Sequence, residues 1–312
     1  MLWSVTVHIL LVGLCIGIAS HHYDAEFRRQ RNLSLSILKE FGFGKSIMEE
    51  RIQTEVSVLL QQIRDIKSVA FCPDAVLMKR VLNVIASILF GRHMEDTAVG
   101  ELGKIASDFL CTNGDFMIVE LFPLLRFLPK MRRTFSTLVA LNNQFSHTIT
   151  NNIETAEEDS FVRYYMNREG SNLDREQLEF IVRDFVLAGS ETTTSTLQWA
   201  LLLLAGRDGQ CVQERLWKEI DAQVPGERLP SLADRPHMPF VEATILEMMR
   251  VRTVAPLALP HRTSCDTSVG GYFIPANTMV STNSTGIVLS CHHLFPVLFC
   301  CYGKVCLVFK IF

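Results

Sequence analysis

The feature that most constrains this chain is a long proline-free segment, residues 174–205, whose side chains are largely apolar. Asp174 and Gln177 have the spacing of a capping box at its start, and glycines at 206 and 209 follow its end. At 1.5 Å per residue, such a helix is about 48 Å long, enough to cross a domain. A helix that is apolar around most of its circumference is expected to be buried. The segment therefore predicts a buried central helix.

The middle of this helix is polar, which is unfavourable for a purely structural helix. Residues 188–194 read AGSETTT and interrupt the apolar pattern. Glycine in a helix interior costs about 1 kcal/mol relative to alanine, and a buried polar group without a partner costs more. These residues predict a site that requires polarity. The structural alternative is that the hydroxyls bond back to the preceding helical turn.

Helical periodicity dominates the rest of the middle of the chain. Apolar residues recur at spacings of three and four over 24–41, 47–69, 74–90, 99–111, 130–152 and 160–168, and again from Pro239 to about residue 253. Extended structure is predicted only late, as an irregular strand over 253–260 and a hairpin over 267–280. The sequence therefore predicts a mainly α-helical fold with a small β-sheet portion.

The composition narrows the possible functions. With 312 residues, 48% of them hydrophobic, the chain can bury a large core. Thirty Lys and Arg against 33 Asp and Glu leave no basic excess to neutralise phosphates, so nucleic acid is not expected as a partner. The cysteines at 72, 111, 211 and 265 lie far apart, which argues against a disulfide framework or a zinc ribbon.

Both ends of the chain differ from this middle. Residues 1–19 carry no Asp, Glu, Lys or Arg and predict a hydrophobic segment, either a signal sequence or a short membrane anchor. Residues 284–312 are hydrophobic and contain four of the nine cysteines, without the loop spacing of a metal site. We therefore expect a folded domain over 20–283, followed by a divergent tail.

Glu247 and Arg250 form a second motif, which follows the polar centre of the long helix in the chain. Glu247 and Arg250 share a helix face, where the carboxylate can hold the guanidinium; an ordinary surface ion pair is the alternative. The order of AG-x-ETT and then E-x-x-R resembles the cytochrome P-450 family, of the microsomal family-two type. Similar segments are Phe27-x-x-x-Arg31, 41–45, 217–221, 232–240, 260–263 and 271–275. The resemblance covers roughly residues 20–283.

The resemblance implies a partial cytochrome P-450 fold in which segment 174–205 is the long central I helix. It implies a haem-dependent monooxygenase that inserts one oxygen atom of dioxygen into a lipophilic substrate, with electrons from NADPH through a reductase. It also implies a location at the endoplasmic reticulum membrane, with the core facing the cytosol.

The resemblance assigns catalytic positions to the polar centre of the long helix. Gly189, beside Ala188, would let the helix open locally so that dioxygen fits. Thr192 would hydrogen-bond the bound oxygen or its water, and Glu191 would relay protons.

Further positions follow from the same resemblance. Arg31 and His261 match residues that bind the haem propionates, and Phe27 stands where the family usually has tryptophan. Glu247 and Arg250 would form a structural ion pair. The residues near the apolar substrate pocket are Phe109, Phe185, Val254 and Leu257.

The sequence departs from the family's pattern near Asn283. The iron ligand of the family is a cysteine in an F-x-x-G-x-R-x-C-x-G loop. The segment 299–306 matches this loop only in the spacing of Phe299 and Cys306, which are seven residues apart. Cys306 is therefore a candidate ligand. A second hypothesis is therefore a non-catalytic, truncated, membrane-associated fragment without productive haem. Its helices are expected to leave apolar surface uncovered.

Overall fold

The computed structural model describes residues 17–19, 21, 23–41, 46–66, 70–121, 125, 127–206, 209–226, 228–256, 258–259 and 261–282. These fall into two compact units, residues 1–194 and 195–312. Most of the predicted anchor segment and the tail with Cys306 lie outside the described residues. In the part of the chain that is described, no helix is both long and apolar enough to span a membrane.

Seven helices of the described residues contribute to the first unit. They are α1 (Ala25–Glu40), α2 (Ser46–Asp65), α3 (Asp74–Leu89), α4 (Asp96–Leu121), α5 (Pro129–Glu154), α6 (Phe161–Glu169) and α7 (Arg175–Ala205), with a 3₁₀ turn at Gly170–Asn172. The predicted mainly helical fold is confirmed. Side-chain caps start three of these helices in the described residues: Asp24 accepts from Phe27 N at 2.8 Å, Ser160 accepts from Arg163 N at 3.2 Å, and Asp174 accepts from Gln177 N at 3.2 Å. Helix α4 continues well past its predicted end at 111.

A large apolar core holds the described part of the first unit together, beside a smaller cluster around Phe109 and Leu138. It combines buried side chains of α1, α3, α4, α5, α6 and α7, among them Ile37, Leu82, Leu102, Phe145, Phe161 and Ile181. Full burial of each such side chain contributes roughly 1.5–3 kcal/mol. The N-terminal half of α7 belongs to this core and is therefore fixed in place.

Helix α7 has the predicted length but not the predicted burial along all of it. Ile181 and Val186 are buried, whereas Leu201 and Leu202 are 47% and 60% exposed. The boundary between the two units falls within the helix, after Thr194. The prediction of burial was therefore wrong for the C-terminal part. An apolar pattern leads to burial only where other elements cover it, and the described residues of the second unit leave this part exposed.

Where the structure describes the second unit, it contains two further helices and two small sheets. Helix α8 (Gly209–Gln223) precedes a 3₁₀ turn at Arg235–His237 and helix α9 (Pro239–Val251). The Glu219 carboxylate of α8 accepts from Phe240 N at 3.0 Å and from Val241 N at 2.7 Å, which satisfies free amides at the start of α9.

The strands pair antiparallel in this unit. Strand β1 (His261–Arg262) pairs with β4 (Met279–Val280), and β2 (Thr267–Val269) pairs with β3 (Tyr272–Ile274). The hairpin predicted over 267–280 is therefore confirmed for residues 267–274, with its turn at 270–271, where both glycines have positive φ, whereas Met279–Val280 pairs with β1 instead. The irregular strand predicted over 253–260 is wrong for the described residues of that segment. Ala258 there has φ 52, which is incompatible with an extended strand.

Candidate functional site

The polar centre of α7 is an uninterrupted α-helix. The local opening expected at Gly189 is absent from this part of the described chain. Instead, Gly189 allows a close helix–helix contact, because a Cβ added there would lie 2.8 Å from Ile85 Cδ1 of α3. The glycine therefore permits α7 and α3 to pack closely at the level of the AG-x-ETT motif.

Two of the hydroxyls in this motif have structural partners inside the first unit. Ser190 is fully buried and donates to Val186 O at 2.6 Å. Thr194 is also buried, and its hydroxyl lies 3.6 Å from Met78 Sδ. These contacts satisfy polar groups that would otherwise be costly to bury.

A different face of the same helix is open. Ala188 and Thr192, one turn apart, are exposed, and the Thr192 hydroxyl donates to Ala188 O at 2.6 Å. This hydrogen bond is the structural alternative considered from the sequence. In its present conformation, Thr192 offers its oxygen, rather than its proton, to a group on the open face.

Glu191 lies beside this face and is only partly exposed. Its Oε2 atom is buried and has no hydrogen-bond partner among the described residues. Burial raises the pKa of Glu191, and the negative charge of Asp74 adds to the effect. A carboxyl group with a raised pKa holds a proton more readily near neutral pH, so Glu191 is suited to proton transfer.

The residues assigned to haem binding fall in different units. Phe27 and Arg31 are one turn apart on α1 in the first unit; Phe27 is partly buried beside Tyr23, with ring centroids 5.6 Å apart, and Arg31 is exposed. His261 is exposed on β1 in the second unit. The structure therefore places Arg31 near Phe27 along one helix, and each unit exposes one of the two residues assigned to the propionates.

Glu247 and Arg250 form a bidentate ion pair on α9. Arg250 Nε donates to Glu247 Oε2 at 2.6 Å, and Nη2 donates to Oε1 at 2.7 Å. Both side chains are partly exposed, at 26% and 32%. Two parallel charge-assisted hydrogen bonds fix the orientation of the guanidinium on the helix.

The predicted pocket residues are divided between the units. Phe109 is buried in a small cluster with Leu138, and Phe185 packs edge-to-face on Phe161 with centroids 5.3 Å apart. Val254 is partly exposed after α9, and Leu257 lies outside the described residues. Phe109 and Phe185 therefore have the packing of core residues in the first unit.

The residues present fit part of a haem site. The open face at Ala188 and Thr192, with an orphaned carboxylate oxygen of Glu191 beside it, provides space and polarity for a bound oxygen species. Among the described residues, no cluster of three or more His, Cys, Asp or Glu could hold a metal ion. The candidate ligand Cys306 lies outside them. The described residues therefore fit the side of a haem site where dioxygen would bind, and the side of the cysteine ligand lies outside them.

Sequence reasoning missed a connection between α7 and the residues that precede α1. The Asp184 carboxylate accepts from Ile18 N at 2.7 Å and from Ala19 N at 2.8 Å. Gly17, at φ 86, lies so close that an added Cβ would be 2.6 Å from Asp184 Oδ2. Asp174 caps the helix as expected, by accepting from Gln177 N, but the Gln177 side chain bonds to the backbone of Gly17 instead of completing a capping box.

Arg183 was missed as well. It is 4% exposed on α7, and burial lowers its pKa. The available signal was its spacing of three and seven residues before Val186 and Ser190, which places it on the buried face of the helix.

Comparison with known proteins identifies the family. A family model described as cytochrome P450, written P-450 here, matches residues 8–293. The chain belongs to the cytochrome P-450 family. The match begins inside the segment predicted as an anchor and extends past residue 283.

Individual relatives are of the family-two type. Human (Homo sapiens) cytochrome P-450 2U1 is 30% identical over 285 residues, which are 86% of this chain and 52% of the relative. Guinea pig (Cavia porcellus) cytochrome P-450 2D16 is 33% identical over 290 residues, 87% of this chain and 57% of the relative. Rat (Rattus norvegicus) cytochrome P-450 2J3 is 32% identical over 277 residues, which are 84% of this chain and 55% of the relative. The chain spans about half the length of these relatives.

Proposed function

We propose that this protein is a haem-dependent monooxygenase that inserts one oxygen atom of dioxygen into a lipophilic organic substrate. Family membership supports the reaction class, and the observation that carries the proposal is the polar centre of α7. There, an open face at Ala188 and Thr192 lies beside a carboxyl group with a raised pKa. Haem, when bound, supplies the iron that activates dioxygen.

The chain's own residues would hold and transfer protons and would leave room for dioxygen at the open face. Glu191 would hold a proton on its carboxyl group, since burial favours the neutral form. Thr192 would orient water or oxygen after its hydroxyl rotates away from Ala188 O. Ala188, with a single methyl group, keeps this face unobstructed.

The cofactor contacts and partners belong to the same proposal. Arg31 and His261 would pair with haem propionates, because both are exposed and can donate to a carboxylate. Electrons would come from NADPH through the family's reductase, and the protein would act at the endoplasmic reticulum membrane with its core in the cytosol. The Glu247–Arg250 pair would be a structural ion pair that stabilises helix α9.

One observation favours a second candidate, a membrane-associated protein without productive haem. The Thr192 hydroxyl is bonded to Ala188 O within the helix, as a structural threonine would be. A substitution that removes only this hydroxyl separates the two candidates.

The test compares Thr192→Val with Thr193→Val, its exposed neighbour. The full chain is supplied with haem, reductase, NADPH and labelled dioxygen, with naphthalene as a neutral probe. We expect labelled product from the unaltered chain, a fall of roughly tenfold or more in product per NADPH for Thr192→Val, and little change for Thr193→Val. Absence of haem, or of labelled product, would favour the second candidate.

A further inference from the structure

A cavity of about 210 Å³ lies within the first unit, lined by side chains from the last two turns of α5, from α6 and from the first two turns of α7. Sites for drug-sized ligands measure about 300–1,000 Å³, so this cavity fits only a smaller molecule. Its lining includes none of the residues that the proposed function assigns to haem, dioxygen or substrate. The proposed reaction therefore leaves this cavity unexplained.

The floor of the cavity is apolar. Leu178 is 1% exposed and belongs to the main core of the first unit, and the partly buried Ile153 and Met166 pack against that core. An apolar group placed on these three side chains would remove apolar surface from water, which is favourable. The floor therefore favours a ligand with an apolar body.

One wall of the cavity is a partly buried carboxylate, that of Glu179. Its Oε1 atom accepts from the Ser146 hydroxyl, and its Oε2 atom accepts from the Thr150 hydroxyl at 3.1 Å, so two side chains of α5 fix its orientation. Each carboxylate oxygen can accept a further hydrogen bond. Among the described residues Glu179 forms no ion pair, and the charge of Arg183, one turn along α7, acts on it at longer range. Glu179 can therefore bind two N–H groups of a cation.

The rim of the cavity has an excess of negative charge. Glu154, Glu176 and Arg175 are exposed there, and none of the three forms an ion pair in the part of the chain that is described. With Glu179, the lining holds three carboxylates and one guanidinium. Glu154 is also the last residue of α5, where the helix dipole adds partial negative charge. The rim therefore attracts a cation more strongly than an anion.

We infer that this cavity binds a small organic cation with an apolar body, such as an arylalkyl ammonium or an amidinium. Two N–H groups of the cation donate to the two oxygens of Glu179, and the apolar body lies on the floor. Arg175, one turn before Glu179, is the cation that competes with the ligand for this carboxylate. Because three helices line the cavity, a bound cation stabilises the folded first unit by mass action.

Benzamidine, benzamide and benzoate test this inference, since they have nearly the same size and shape but are a cation, a neutral molecule and an anion at pH 7. Each is titrated by calorimetry into the full chain in lipid nanodiscs, with empty nanodiscs subtracted. We expect benzamidine to bind at least about tenfold more tightly than benzamide, and benzoate to bind more weakly than either. The measurement needs neither NADPH nor reductase, so a failure of the proposed reaction would leave the result readable.

Two variants with opposite expected effects locate the site. Glu179→Gln keeps the shape of the side chain but removes its charge, and should weaken benzamidine binding roughly tenfold, with benzamide unchanged. Arg175→Gln removes the competing cation and should strengthen benzamidine binding about threefold. Glu101→Gln, at an exposed position of α4 outside the cavity, changes the net charge as Glu179→Gln does and should leave all three affinities unchanged.

Circular dichroism checks the folding of each variant, and Arg175→Gln decides if Glu179→Gln is unfolded. Equal binding of benzamidine and benzamide, or no binding of benzamidine, would overturn the inference. Tighter binding of benzoate would also overturn it, because Arg175 would then be the anchor. Equal losses in Glu101→Gln and Glu179→Gln would reduce the effect to net charge and contradict the site. Opposite changes of benzamidine affinity in Glu179→Gln and Arg175→Gln would support it.

Discussion

Each unit of this protein contains a pair of oppositely charged side chains in hydrogen-bond contact, but the surroundings differ. In the first unit, Arg80 Nη1 donates to Glu55 Oε2 at 3.1 Å, and the two side chains are 5% and 6% exposed. In the second, the Glu247–Arg250 pair has shorter hydrogen bonds but side chains that are 26% and 32% exposed. The comparison shows that good geometry is not equivalent to burial.

Apolar helix faces show the same contrast. The first unit buries Ile181 and Phe161 completely, whereas α9 of the second unit leaves Ile245 and Met249 51% and 50% exposed. Exposed apolar side chains of this kind mark surfaces that contribute little to folding and favour association. The expectation of uncovered apolar surface is met in the described part of the second unit. The stability of the chain therefore depends mainly on the first unit.

Removal of one partner from the buried pair should have the largest effect. Arg80→Met leaves the Glu55 carboxylate without its cation, although His93 Nδ1 still lies 2.8 Å from Glu55 Oε1. We expect a loss of about 3–5 kcal/mol in the free energy of unfolding. The matched variant Arg250→Met breaks the more exposed pair and should cost about 1 kcal/mol or less.

Urea denaturation and amide hydrogen exchange in α3 and α9 measure these two effects. Equal losses in the two variants would remove the distinction between the units. A larger loss for Arg250→Met would reverse it.

The connection between α7 and residues 17–19 should give the next largest effect. Asp184→Ala removes the acceptor of two backbone amides, at Ile18 and Ala19, and should cost about 1–3 kcal/mol. Asp184→Asn keeps a carbonyl acceptor and should cost less. Hydrogen exchange at these two amides should accelerate in the alanine variant. Unchanged exchange there would exclude residues 17–19 from the stable part of the first unit.

The smallest effect concerns an exposed carboxylate on α1. Hydrogen bonds from Arg29, and next from Gln30, lower the pKa of Glu26 from 4.5 to about 2. A lowered pKa means that the stabilisation is present above about pH 4.5 and is lost as the pH falls through about 2. Glu26→Gln should therefore reduce stability at pH 7 by less than about 1 kcal/mol, since the side chain is half exposed.

Thermal unfolding of Glu26→Gln and the unaltered chain between pH 7 and pH 2 measures this difference. The gap should close as the solution is acidified. A gap that stays constant with pH would assign the effect to packing rather than charge.

Local patterns predicted the helices of this fold well. The apolar periodicity over 24–41 and 160–168 and the proline-free segment at 174–205 involve only neighbouring residues, and the structure has helices at all three. The exposure of Leu201 and Leu202 depends on what covers the helix, which local patterns do not contain. The irregular strand predicted over 253–260 was inferred from its Val, Leu and two prolines, and it fails at Ala258, whose positive φ no local pattern indicates.

The candidate site shows the same limit. The AG-x-ETT and E-x-x-R residues are recognisable because they are close in sequence. The contacts of Asp184 with Ile18 and Ala19 join residues more than 160 positions apart, and no local pattern indicates them. Arg183 carries a signal in its helical spacing, but a charged residue is ordinarily placed on the surface.

The measurement that tests the central claim most directly is the reduced, carbon-monoxide-bound difference spectrum of the full chain supplied with haem. Our account predicts a red-shifted Soret band of the thiolate type, because a haem-thiolate centre is what the proposed monooxygenase requires. The same spectrum of Cys306→Ala would show whether Cys306 is the ligand. A chain that retains no haem would contradict the account.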